Sequence, residues 1–211
     1  MIAQLLPEVT AADVAAADSV STGMLILRVI VGVTFAAHGY FKYFKGGKIA
    51  GTARWFDSMG MWPNGKVHAH LAALTELVAG ILFAIGLLTP LAGAAMVGQM
   101  LVAGYTANRD AGFWSANKGW EYNLVLATVG VGVATVGPGR WSVDHALDLG
   151  RAFDPNVGLG VSLGLGVLAG LGVILICYRP PAPEPAAPEA PPADAPAPGP
   201  TPAAGDDGAG A

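Results

Sequence analysis

The sequence predicts an all-α membrane protein: a polytopic bundle of five transmembrane helices followed by a proline-rich acidic tail. Three observations carry that expectation. Of 211 residues, 53% are hydrophobic and only 12% are charged, against about 25% charged in a soluble domain, and mean hydropathy is +0.52. So few charges do not cover a water-facing surface. Five apolar stretches approach the roughly 20 residues needed to cross a hydrocarbon core of about 30 Å. Tryptophans and basic residues gather at the ends of these stretches, as they do at membrane interfaces.

The first predicted span covers 23–44 (GMLILRVIVGVTFAAHGYFKYF). The preceding MIAQLLPEVTAADVAAADSV lacks a basic n-region, so it does not read as a cleaved signal peptide, and the first span is expected to act as the targeting signal. Residues 45–66 are too polar to cross. Ile49, Trp55, Phe56, Met59 and Trp62 lie among lysines and an arginine there, which predicts a short interfacial helix ended by Pro63-Asn64-Gly65. The second and third spans, 67–88 and 90–107, form a hairpin, because Thr89 suits a cap and Pro90 a first helical position. The fourth covers 119–136 and the fifth 157–178. Gly160-x-x-x-Gly164 and Gly166-x-x-x-Gly170 in the fifth are small-residue patterns that let helices approach, and they offer a face for a homo-oligomer. Residues 180–211 hold eleven prolines among Ala, Glu, Asp and Gly, a composition that builds no core and predicts an extended, solvated tail.

Charge placement narrows the function classes. The net −4 comes from Arg179 onward, where one base meets five acids, and no basic stripe points to nucleic acid. Cys177 is the single cysteine, which rules out an intrachain disulfide and a CxxC redox pair. Lys45, Lys48, Arg54 and Lys66 follow the first span, and Arg109 and Lys118 follow the third. The positive-inside rule then predicts the N-terminus outside and the C-terminal tail in the cytoplasm.

Ionisable residues inside a bilayer cost about 2.5–3.5 kcal/mol on insertion scales, so they are rare and paired or functional. Here they are Arg28, His38 and Lys42 on the first span, Glu76 on the second and Glu121 at the start of the fourth. At about 1.5 Å per residue, backbone depths match Arg28 with Asp144 of the loop GPGRWSVDHA as a structural ion pair. They likewise match His38 with Glu76, and Lys42 with Glu121. Gln99 lies level with Glu76. At about 100° per residue, Arg28, Gly32, Phe35, Gly39 and Lys42 form one stripe, and Glu76, Gly80, Phe83 and Leu87 another. These layers read either as bundle glue or as a polar pocket; snorkelling alone accounts for Lys42 and partly for Arg28. No metal site is expected, since His68 and His70 point apart on a helix.

Several of these segments resemble the DoxX family. LRVIVGVTFAAHGYFKYF carries that family's Arg, His-Gly and Lys at matching spacing. ELVAGILFAIGLLTPLAG looks like its Glu-led second helix and hairpin. GWEYNLVLATVGVGVATVGPGRWSVDHAL is similar to its Glu-Tyr-Asn motif and its closing Gly-Pro-Gly-x-x-Ser-x-Asp. The resemblance implies a four-helix membrane bundle over 23–147, with an interfacial loop at 45–66. To this the chain adds an N-terminal tail (1–22), an outer linker and fifth helix (148–178) and the acidic tail (179–211). Arg28, His38, Lys42, Glu76, Glu121, Asn123 and Asp144 fall on the family's polar motifs. The resemblance further implies a membrane subunit or scaffold of a redox or oxidative-stress complex, thiol- or quinone-linked, with a quinone possible at His38, Glu76 and Gln99. Soluble partners would be a superoxide dismutase and a sulfurtransferase. The alternatives are a quinone-coupled oxidoreductase subunit acting on a sulfur compound, of the thiosulfate:quinone type, and a small-solute transporter. Against an autonomous enzyme, the sequence offers no cysteine pair, haem-ligand pair or nucleotide loop.

Overall fold

The computed structural model describes residues 10–149 and 154–181. Helix α1, Ala11–Phe44, begins well before Gly23 because Thr10 and Asp13 form a reciprocal capping box. The Thr10 side chain accepts from Asp13 N–H at 3.2 Å, and Asp13 accepts from Thr10 N–H at 2.9 Å. The alanine-rich segment that follows is a good helix former, so the helix runs on past the predicted edge of the span. Helix α2, Lys48–Ser58, is the short surface helix; it buries Ala53 and Phe56 and leaves Trp55 exposed.

Asn64 caps α3, Gly65–Ile85, by accepting from Val67 N–H at 3.0 Å. Gly86, at φ 67, ends it in the left-handed region. Helix α4, Thr89–Ala103, continues through a π turn at Gly104–Asn108. Helix α5 spans Glu121–Val136, and α6 is the single turn Val143–Ala146. Helix α7, Pro155–Cys177, opens with Asp154 accepting from Asn156 and Val157 N–H and contains a π turn at Gly160–Leu165. By length and apolar character α1, α3 and α7 suffice to cross a membrane, and α5 is a shorter apolar helix. The fold is the expected helical membrane bundle. The tail from residue 182 and the first nine residues of the N-terminal tail lie outside the described residues.

Helix α4 is central, packed by α3, α5 and α7, while α1 lies along α3. The α1–α3 contact is made at backbone distance: a Cβ on Gly80 would lie 2.4 Å from Ala36 N, and one on Gly32 would lie 2.6 Å from Gly80 O. The main core joins Phe35, Phe83, Met96, Met100, Leu126 and Val133. Ile30, Val33, Leu74, Val78, Leu168 and Leu175 turn away from the bundle and are exposed. Each would cost about 1.5–3 kcal/mol left in water rather than buried; hydrocarbon contact removes that cost.

The end of α7 is tied to the α2–α3 loop. Trp62 N–H donates to Cys177 O, and Arg179 N–H donates to Gly60 O, both at 2.8 Å. The last helix therefore ends on the side that carries Lys45, Lys48 and Arg54, the basic-loop end. The α3–α4 turn marks the opposite, turn end.

The glycines of α7 divide. A Cβ on Gly166 would lie 2.7 Å from Ala94 O, and one on Gly170 would lie 3.0 Å from Gly98 O, so these two seat α7 on α4. Gly160 and Gly164 face open space. The expected four-glycine oligomer face is thereby corrected: Gly166 and Gly170 are consumed inside the protomer.

Candidate functional site

Two buried polar clusters lie at different depths. At the turn end, Arg28 is fully buried, although a guanidinium is costly to desolvate. Its Nη1 donates to Ala84 O at 2.8 Å and its Nη2 to Trp141 O at 2.6 Å. Asp144, 1% exposed, accepts from Leu88 N–H at 2.7 Å, Thr89 N–H at 2.9 Å and the Thr89 hydroxyl at 2.6 Å. The anticipated Arg28–Asp144 ion pair is thus a shared cluster, not a direct bridge. The two charges lie within Coulomb reach, but Arg28 spends its hydrogen bonds on backbone carbonyls and Asp144 on backbone amides and the Thr89 hydroxyl. The reason is the α4 N-terminus, whose free amides attract a carboxylate. Asp144 takes over the capping expected of Thr89.

The second cluster is the candidate site. Lys42 Nζ donates to Glu76 Oε2 at 2.5 Å, and Gln99 Nε2 reaches Glu76 Oε1 at 3.4 Å. The side chains of Lys42 and Glu76 are 19% and 6% exposed. The expected His38–Glu76 and Lys42–Glu121 pairs do not form. His38 Nε2 instead stands 3.4 Å from the Tyr122 hydroxyl, and Glu121 accepts from Ser115 N–H at 2.9 Å. Side-chain direction explains the exchange. Helical side chains lean toward their own N-terminus, so Lys42 reaches inward from the basic-loop end. Glu76, on the antiparallel α3, leans down to meet it. Asn123 Nδ2 lies 3.7 Å from Met100 Sδ, near the cluster but not bonded to it.

Glu76 stands between two cavities. The larger, about 600 Å³, lies along α4 between α3 and α7 and reaches Phe56, Met61 and Cys177 at the basic-loop end. Its walls are mostly apolar, with Lys42, Glu76, Gln99, Thr75 and His68 as polar points. His68 is held by the Trp62 carbonyl, 2.7 Å from its Nε2. The smaller, about 360 Å³, is lined by His38, Glu76, Tyr122, Asn123, Ser115 and Lys118, among others. Six residues singled out from the sequence (His38, Lys42, Glu76, Gln99, Asn123 and, through Ser115, Glu121) are thus gathered around the two cavities. Tyr122 and His68 were missed as site residues. For Tyr122 the signal was its place inside Glu-Tyr-Asn, on the helix that faces His38. Among the described residues, no group of three or more His, Cys, Asp or Glu side chains is placed to hold a metal ion.

An apolar helical bundle with several helices long enough to cross a bilayer defines a polytopic helical membrane protein. The DoxX family profile matches residues 23–109. A Bacillus subtilis (strain 168) protein named "Putative oxidoreductase CatD" is 34% identical over 111 residues, covering 53% of this chain and 78% of that protein. An uncharacterized membrane protein of Mycobacterium tuberculosis (strain ATCC 25618 / H37Rv) is 28% identical over 136 residues, covering 59% of this chain and 80% of that protein. No solved structure matches. The chain belongs to the DoxX family.

Proposed function

We propose that this DoxX-family protein is the membrane subunit of a redox or oxidative-stress assembly, and that its larger cavity takes a quinone-like amphiphile. One observation carries the reading: a mostly apolar chamber of about 600 Å³ between the helices has Lys42, Glu76 and Gln99 converging on its wall. Binding sites for small organic molecules are of this kind, roughly 300–1,000 Å³, mostly apolar, with a few convergent polar groups. Gln99 and Lys42 supply donors for a ring carbonyl, Glu76 supplies an acceptor for a ring hydroxyl, and the lining of α3, α4 and α7 receives a prenyl tail. When bound, such a group supplies two-electron redox chemistry; the protein's residues orient its headgroup and exclude water. The oxidoreductase name of the Bacillus subtilis relative is in keeping with this reading.

The basic loops and the tail form the proposed contact for soluble enzymes, a superoxide dismutase and a sulfurtransferase, with the N-terminus outside and the tail in the cytoplasm. Co-purification of either enzyme with the full chain supports the scaffold role; its absence from crosslinked membranes refutes it.

Trp55 lines the chamber, so quenching of tryptophan fluorescence reads its occupancy. A short-tailed prenyl naphthoquinone titrated into the protein in nanodiscs is expected to quench saturably, and Trp55→Phe to remove that component. Glu76→Gln and Gln99→Leu are expected to weaken binding by about tenfold each, as loss of a buried hydrogen-bond partner does. Non-saturable quenching, or unchanged affinity in both variants, refutes the reading.

A further inference from the structure

Glu76 and Ala103 both line the two cavities, and of the two only Glu76 carries a titratable group. The cavities differ in what reaches them. The larger is bordered by exposed Leu71, Leu91 and Leu165, whose side chains face the hydrocarbon side of the bundle. The smaller is bordered by Ser115 and Lys118, exposed residues of the α4–α5 connection at the basic-loop end, where they meet water. A buried carboxylate thus forms a wall between a lipid-accessible chamber and a polar vestibule. The ionisable and polar groups around it come from every neighbouring helix. Lys42 and His38 are on α1, His68 is on its own helix α3, Gln99 is on α4, Tyr122, within Coulomb reach, is on α5, Cys177 is on α7 and Lys118 is on the α4–α5 connection.

We infer that Glu76 is a two-faced proton-exchange group, carrying protons between vestibule water and a molecule held in the chamber. Vestibule water gives a proton to the Glu76 carboxylate, which becomes a neutral acid and releases Lys42. The acid then gives the same proton to an oxygen of the guest, and the carboxylate returns to Lys42. The reverse sequence takes a proton from a guest hydroxyl out to water. The protein ends as it began, and no electron moves in the step. His38 and Tyr122, with Nε2 and hydroxyl 3.4 Å apart, stand on the vestibule side as relays to water. The inference rests on the chamber holding a guest, as proposed above, but its test needs none.

Carbodiimides add covalently to a carboxyl group in its protonated form, so they report both access and protonation. The full chain in nanodiscs is treated at mildly acidic pH with either dicyclohexylcarbodiimide, which arrives through lipid, or a quaternary-ammonium carbodiimide confined to water. Mass spectrometry quantifies the Glu76 adduct, with Glu76→Gln as background. Both reagents are expected to label Glu76. Ala169→Trp, on an exposed part of the chamber wall, is expected to cut dicyclohexylcarbodiimide labelling at least fivefold and leave the aqueous reagent unaffected. Ser115→Trp, on the vestibule rim, is expected to do the opposite. Failure of either reagent to label Glu76 in the unsubstituted chain overturns the inference, as does a parallel fall of both reagents in both variants. If the quinone titration fails while labelling from both sides succeeds, the guest assignment falls and the two-faced carboxylate stands.

Discussion

Replacing Asp144 with alanine removes three acceptor contacts at once: from Leu88 N–H, Thr89 N–H and the Thr89 hydroxyl. A hydrogen bond to a charged group contributes about 1.5–3 kcal/mol net, but the three share one carboxylate and do not add. The variant also leaves buried amides without partners, at about 1–3 kcal/mol each, and leaves fully buried Arg28 without its nearest counter-charge. Breaking a buried charge pair costs about 3–5 kcal/mol, and we take that range for the whole substitution. Asp110→Ala serves as the control. Its carboxylate, 90% exposed, pairs with Arg109 at 3.0 Å, and exposed pairs contribute about 0–1 kcal/mol. Reversible unfolding of the bundle in mixed micelles, titrated with a denaturing detergent, measures both. A double-mutant cycle with Arg28→Met is expected to show coupling of at least ~1 kcal/mol, because removing the guanidinium relieves part of the cost. An Asp144→Ala loss below ~1 kcal/mol, or strict additivity with Arg28→Met, would refute the view that these charges form one unit.

Gly80→Val places a branched side chain where even a Cβ lies 2.4 Å from Ala36 N. It is expected to cost at least the ~1–3 kcal/mol of an overpacked core, read as a lower thermal midpoint in detergent. Gly166→Leu, directed at α4, is expected to lower that midpoint, and Gly164→Leu, directed at open space, to leave it within error; equal effects would contradict the seating of α7 described here.

Much of the bundle is legible in the sequence because helical phase is a backbone property. The stripe through Arg28, Gly32, Phe35, Gly39 and Lys42 contains four of the five buried residues of α1, and Glu76, Gly80 and Phe83 are buried on α3. The polar pairings are less legible. Matching Cα depths puts His38 opposite Glu76, but long side chains lean by several ångströms along their helices, which hands Glu76 to Lys42. His38 and Lys42 are only one turn apart, about 6 Å at 1.5 Å per residue, so opposed leaning of the two side chains is enough to exchange partners. The capping of α4 by Asp144 was out of reach for a different reason. Local patterns assign Thr89-Pro90 the start of that helix, and only the tertiary fold brings a carboxylate from α6 onto its amides. The cavities are shapes left between helices, so no single stretch of sequence encodes them.

The position of Asp144 along the chain has a consequence for biogenesis. The α3–α4 turn is synthesised 55 residues ahead of the carboxylate that caps Thr89. Until it arrives, the amides of Leu88 and Thr89 lack their carboxylate acceptor and the Arg28 guanidinium lacks its counter-charge, a condition a low-dielectric surrounding penalises. The stretch matched by the family profile, 23–109, is therefore not a self-sufficient unit. A chain ending before residue 144 lacks this latch, which is delivered only with α6.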